Sequence, residues 1–206
     1  MTNYEYFEWC FKQIINLEGG MSKDTADIGN KDGNFTYMGL SSRYNPELKA
    51  IMRLSKDDRM KRIKNIYYTK YWQKSVNPVM SLVSPLREAE ENNIIKHLVM
   101  IMFDTAVQCA PDDANRMLQR ALNRIIWADA KYTGNKAQLL KVDGIIGNGT
   151  TLMLLRYLKY GVISSYMYLR SQKYLKDIGE KHNQSKFATG WMNRLIKIDN
   201  LIEESK

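Results

Sequence analysis

The amino-acid sequence predicts a mainly α-helical fold with a small loop or hairpin region after the first helix. Three observations predict it. Apolar residues recur at steps of three and four, beginning with Phe7, Cys10, Phe11, Ile14 and Leu17, which is the spacing of one helical face. That period is lost from residue 21 to about 44, where Asp, Asn, Gly and Ser crowd together, the composition of turns. The chain's 206 residues, 44% of them hydrophobic, can bury a core as one domain or as two small lobes.

Each element follows in order. Gly19-Gly20 stops the first helix, since glycine ends helices readily. Ser55 is a plausible N-cap for the next helix, with Asp57 and Asp58 in its first turn, where acids favour the helix dipole. Met60, Ile63, Tyr67 and Tyr71 then make one stripe, and Asn77-Pro78 and Ser84-Pro85 punctuate the chain. Residues 94–109 are apolar on most sides, as in a central buried helix. Pro111 with Asp112-Asp113 starts a helix expected to run to about residue 123. Asp143-Gly144 and Gly147-Asn148-Gly149 are turns, and further helices are expected over 150–160, 164–181 and 191–204. The polar run 87–93 is the best boundary between lobes.

Composition excludes several classes. The apolar fraction is too high for a disordered chain. Cys10 and Cys109 cannot build a disulfide framework and are expected to be buried thiols. The start, Met1-Thr2-Asn3-Tyr4-Glu5, has neither the basic nor the apolar part of a signal peptide, so synthesis in the cytoplasm is expected. Residues 94–109 contain Lys96, His97 and Asp104, so no stable membrane insertion is expected. His97 and His182 are the only histidines, and no cluster has metal-ligand spacing. There is no GxSxG and no Walker loop. Gly144 to Gly149 reverses the dinucleotide spacing, and an EF-hand through Gly33 would need Ile28 as a ligand. No cofactor and no metal are therefore expected.

The net charge is +9, from 31 Lys and Arg against 22 Asp and Glu, which points to an anionic partner. Residues 1–30 hold five acids against two bases, whereas residues 53–74 hold eight bases against two acids. An acidic segment beside basic helices suits an enzyme acting on an anionic polymer; solvated helix faces would look the same. Within that segment Glu18 lies four residues after Ile14 and extends the apolar stripe. A carboxyl there sits at the edge of the core. Desolvation raises its pKa, as a general acid requires. Asp27 follows nine residues later, with Thr36 beyond it. Two carboxyls in unequal environments are the minimal equipment for glycoside hydrolysis.

The surrounding motifs sharpen this. Glu18-Gly19-Gly20-Met21, then Asp24, Asp27 and Gly29, then Thr36-Tyr37-Met38-Gly39-Leu40-Ser41 resemble the opening motif of glycoside hydrolase family 108. Those proteins are lysozyme-like N-acetylmuramidases, sometimes called secretion activator proteins and often found beside phage holins. Ile66-Tyr67-Tyr68-Thr69-Lys70-Tyr71-Trp72 looks like the family's I-Y-x-x-Y-W. Phe103-Asp104-Thr105-Ala106-Val107, Leu118-Gln119-Arg120-Ala121-Leu122, Val142 to Gly147 with Thr150, and Gly190-Trp191-Met192-Asn193-Arg194 resemble the associated peptidoglycan-binding region. The likeness spans residues 7–195. It departs at Met21, Thr25, Ile28 and Asn30, at Gln108 and Ala110, and in a loop about four residues longer before Thr36.

The resemblance implies a lysozyme-like helical fold. Residues 1–90 would be the catalytic lobe, and residues 91–206 a helical peptidoglycan-binding region packed on it. It implies Glu18 as general acid, Asp27 as the group that holds or activates water, and Thr36 as the residue that positions it. Asp32, inside the longer loop, competes with Asp27 as second carboxylate. Tyr37, Tyr44, Tyr68, Tyr71 and Trp72 are candidate sugar-stacking rings, though Tyr71 and Trp72 equally suit the core. Trp127 and Trp191 are expected in the core. The implied activity is hydrolysis of the β-1,4 bond between N-acetylmuramic acid and N-acetylglucosamine in peptidoglycan, after release through a holin or similar pore. A non-catalytic wall-binding or secretion-accessory protein is the alternative. Nucleic-acid binding rests on charge alone and has no motif behind it.

Overall fold

The computed structural model describes residues 2–25, 27–180 and 182–203. The fold is mainly α and consistent with a lysozyme-like helical architecture. Helix α1 (Asn3–Leu17) opens on a capping box: the Thr2 hydroxyl accepts from the Glu5 backbone N–H, and the Glu5 carboxylate accepts from Thr2 N at 2.7 Å. Its stripe of Phe7, Cys10, Phe11 and Ile14 is buried. The helix stops at Glu18, whose backbone is extended.

The irregular stretch that follows folds into a small antiparallel sheet, ordered β1 (Met21–Ser22), β2 (Thr36–Tyr37), β3 (Leu40–Ser41). Tyr37 pairs with Leu40, so Met38-Gly39 is a two-residue hairpin loop. Both residues have positive φ, 48° and 74°, as a type I′ turn requires. The Tyr67 hydroxyl donates to the Met38 carbonyl at 2.6 Å and pins the turn to the core.

After α2 (Leu48–Ile51), Ser55 caps α3 (Lys56–Ile66) as expected, accepting from Asp58 N. The chain then widens into a π-helix, Tyr67–Val76, before α4 (Asn77–Met80). The i to i+5 geometry of that segment places Tyr67 and Trp72, five residues apart, both against Phe103, at ring distances of 6.1 and 5.1 Å. Helix α5 (Ala89–Gln108) begins five residues before the expected start and buries an unbroken run from His97 to Val107. It is the central helix. Helix α6 (Pro111–Thr133) runs ten residues beyond the expected end, to Gly134 in the left-handed region. This extension corrects the placement of Trp127. It lies on the outer face of α6, half-exposed, with Lys131 over its ring.

Residues 135–147 return along α6 without regular structure. Asn115, Gln119 and Asn123 hold them, one helical turn apart. Helices α7 (Asn148–Arg156) and α8 (Val162–Glu180), a 3₁₀ turn (His182–Phe187) and α9 (Ala188–Glu203) complete the chain. One hydrophobic cluster runs from Tyr6 to Ile198 and draws on every long helix. Cys10 is fully buried and Cys109 half-buried, and both are free thiols. Among the described residues, no helix is long and apolar enough to cross a membrane.

Candidate active site

Helix α1 delivers Glu18 to the edge of the core, and the extended backbone at Glu18 turns the chain away there. Its side chain is about 10% exposed. Burial pushes its carboxyl above the usual range, against the opposing pull of Arg194. Arg194 Nη2 donates to Glu18 Oε1 at 2.6 Å and to Asp104 Oδ1 at 2.6 Å. Asp104 also pairs with Arg170. Burial alone would raise the Asp104 pKa, but the two guanidinium groups outweigh it and hold the carboxyl below its usual value. Arg170 Nη2 further donates to the Tyr174 hydroxyl at 2.8 Å. The Gln108 side-chain amide lies 2.7 Å from that hydroxyl and 3.0 Å from Arg194 Nη1, so its oxygen suits Arg194 and its NH₂ suits Tyr174. A buried chain of charges thus joins α1, α5, α8 and α9.

Gly39 closes over the other side of Glu18. A Cβ at this position would stand 2.6 Å from the Glu18 carboxyl carbon, and the φ of 74° already disfavours any side chain. Only glycine leaves that carboxyl approachable. Asp27 sits on the following loop, where its Oδ1 accepts from Gly29 N at 2.8 Å. The Thr36 hydroxyl donates to Asn30 Oδ1 at 2.8 Å, and buried Asn30 bonds back to the Asp24 carbonyl at 3.0 Å.

Glu18, Asp27 and Thr36 line one cavity of about 710 Å³. Its walls come from both halves of the chain: the loop and Tyr71 on one hand, residues 106–111, α8 and the start of α9 on the other. Cys109 lines it too, with its thiol pushed up to about 11 chiefly by burial, so the thiolate needed for nucleophilic attack is scarce at neutral pH. Among the described residues, no group of three His, Cys, Asp or Glu could hold a metal ion.

Residues 11–109 match the family described as Glycosyl hydrolase 108. Residues 113–196 match the family described as Predicted Peptidoglycan domain. The N-terminal half is therefore a glycosyl hydrolase 108 region. No curated protein matches the chain closely enough to count as a relative. The arrangement of a glycosyl hydrolase 108 region followed by a peptidoglycan domain supports a role in hydrolysing or binding peptidoglycan at the cell wall.

Within this glycosyl hydrolase 108 region the candidate residues separate. Tyr44 and half-buried Tyr71 line the cavity. Trp72 does not. It is fully buried, its ring edge-on to Phe7 and Phe103 and its indole N–H donating to Asn3 Oδ1 at 3.0 Å, so no face is left for a sugar. Tyr68 packs on Phe7 and Tyr4, and Tyr37 lies beneath Arg59. Neither lines the cavity. Asp32 faces solvent, paired with Arg43, and is likewise outside the lining.

The structure also adds Arg194, visible in the sequence only as part of a motif, and it corrects Trp191, expected in the core, to a half-buried ring in the cavity wall. Yet Trp191, Leu195 and Ile198 mark the inward face of α9 at helical spacing, with Leu195 and Ile198 buried. An arginine set beside them at Arg194 is a signal for a buried carboxylate partner.

Proposed function

We propose that the protein is a lysozyme-type muramidase that cleaves the β-1,4 bond between N-acetylmuramic acid and N-acetylglucosamine. The observation that carries the proposal is a shared cavity holding two carboxyls of unequal setting, Glu18 buried with a raised pKa and Asp27 on a half-exposed loop. Glu18 keeps one oxygen on Arg194 and gives its proton through the other to the leaving glycosidic oxygen. Asp27 accepts a proton from the water that attacks the anomeric carbon, and Thr36 orients that water. Bound glycan displaces solvent from the cavity and favours the protonated Glu18 further. The resemblance to phage-type enzymes favours inversion, which proton NMR of the first-formed anomer tests.

In this reading residues 1–90 carry the chemistry and residues 91–206 the wall contact. Release through a holin or similar pore, in phage lysis or secretion-linked remodelling, completes the proposal; tagged protein reaching the envelope of cells lacking any such pore would contradict it. The Arg194 bond to Glu18 gives the alternative its one support, since a locked carboxyl suits a non-catalytic wall binder. One experiment separates the two. Wild type and Glu18→Gln are incubated with sacculi, and released fragments are read by mass spectrometry and reducing-end assay. The muramidase predicts new N-acetylmuramic acid reducing ends from wild type, reduced about 10²- to 10⁴-fold in the variant. Equal release from both proteins removes Glu18 from the mechanism, and no release from wild type leaves the binder.

A further inference from the structure

We infer that the C-terminal half supplies a saccharide-stacking subsite to this same cavity, built from Trp191 and Phe187 over Tyr174 with the Lys173–Asp177 pair beside them. The inference deepens the glycan-cleft reading and rests on it. All five residues line the cavity that holds Glu18. Tyr174 and Trp191 are stacked, with ring centroids 5.2 Å apart and planes inclined by 21°. Phe187 continues the series at 6.0 Å and 30° from Trp191. Tyr174, at the base, is buried and its hydroxyl is held by Arg170. Trp191 and Phe187 remain half-buried.

Stacked rings also occur against the core, as in Tyr6 and Trp9; what sets Trp191 and Phe187 apart is that they are half-buried and stand in the wall of the cavity that holds Glu18. They match the apolar C–H face of a pyranose. Lys173 Nζ donates to Asp177 Oδ2 at 3.1 Å, and the pair sets a polar wall beside the rings in the same cavity.

Register supports the assignment. Trp191 and Arg194 are three residues apart on α9, hence on one face. The turn of helix that grips Glu18 therefore also sets the position of the ring. Lys186 pairs with Asp24, which ties the segment bearing Phe187 to the loop bearing Asp27. A sugar seated against Trp191 and Phe187 is thereby held in the same cavity as the general acid. The peptidoglycan domain then meets its polymer inside the catalytic cleft and not only on a surface of its own.

The test is calorimetric titration of tetra-N-acetylchitotetraose onto Glu18→Gln protein, and onto that protein carrying Phe187→Ala, Trp191→Leu or Trp191→Phe. Loss of stacking predicts about tenfold weaker binding for Phe187→Ala and Trp191→Leu, with Trp191→Phe within about threefold of the parent. On sacculi, with Glu18 restored, KM rises while kcat holds. Phe187, with Lys186 over its ring, takes no part in the Glu18–Arg194–Asp104 ion pairs, so its variant decides the matter if Trp191→Leu unfolds. Unchanged affinity in Phe187→Ala overturns the inference, and so does undetectable binding to the parent. Full lytic activity of Glu18→Gln would instead defeat the catalytic reading, while the affinity ratios still decide the subsite.

Discussion

Two non-helical connections in this chain solve opposite problems. Residues 135–147 run along α6 with their polar groups turned inward. Gly144 N donates to Gln119 Oε1 at 2.8 Å, Gln119 Nε2 donates to Asp143 Oδ1 and to the Ile145 carbonyl, and Asn123 exchanges two bonds with Leu140. Residues 18–47 build a sheet of two-residue strands and two positive-φ non-glycine positions, and bring Glu18 and Asp27 to a cavity. The first connection uses its polar groups to hold itself down. The second sets two of its carboxyls, Glu18 and Asp27, in the wall of that cavity. Irregular backbone thus holds itself down in one place and lines a cavity in the other: Asp143 is absent from the cavity wall, whereas Glu18 and Asp27 stand in it.

Asp104 is where the second region borrows the strategy of the first. Its carboxylate satisfies Arg170 and Arg194, and Arg194 in turn holds Glu18. Asp104→Asn should give the largest effect on stability, a loss of about 3–5 kcal/mol, because it strips charge from a buried pair of guanidinium groups. Chemical denaturation measures it, and a loss below 1 kcal/mol would show the network to be slack. The pH dependence has a defined sign. A carboxyl held below its unfolded pKa of 3.8 stabilises fully above that value and loses its contribution as pH falls through the lower native value. Asp104→Asn should therefore flatten the acid limb of the stability profile.

Gln119→Ala tests the structural loop. It removes the partner of Gly144 N, Asp143 and the Ile145 carbonyl and should cost about 2–3 kcal/mol, with kcat on sacculi unchanged. A large fall in kcat at unchanged stability would erase the distinction between the two connections. Gly39→Ala tests the other one. Alanine at φ 74° costs about 1–2 kcal/mol, and its Cβ meets the Glu18 carboxyl. Activity should fall further than stability does. Equal, small effects on both would mean that the hairpin gives way without moving Glu18.

These cases also show how far the sequence could be read. Glu18 at the end of α1 was legible because the stripe from Phe7 to Ile14 and the Gly19-Gly20 stop are local signals. The hairpin was legible as a loss of period. Its Arg194 partner is 176 residues away, and no local pattern pairs a helix end with a helix so distant. The π-helical segment escaped because Ile63, Tyr67 and Tyr71 fit an α-helical stripe equally well. Trp72 stayed open between core and sugar stacking, and the structure decides for the core: an aromatic motif names the rings but not the side of the wall on which each ring falls. The end of α6 was misplaced because its outer face carries Trp127, an apolar residue that solvent does not exclude.

The smallest expected effect is the most diagnostic for Glu18 itself. Its carboxyl titrates above the unfolded value of 4.5 because burial outweighs Arg194. Between those two values the native state holds a proton that the unfolded state has released. Native stability must then fall as pH rises through the native pKa, and the deficit is absent below 4.5. Glutamine carries no such burden. The melting temperature of Glu18→Gln minus that of wild type should therefore be larger at about pH 7.5 than at about pH 4, while activity is lost at both. A difference that shrinks with rising pH would mean that Arg194 prevails, that Glu18 is a stabilising ionised partner, and that the cavity lacks its proton donor.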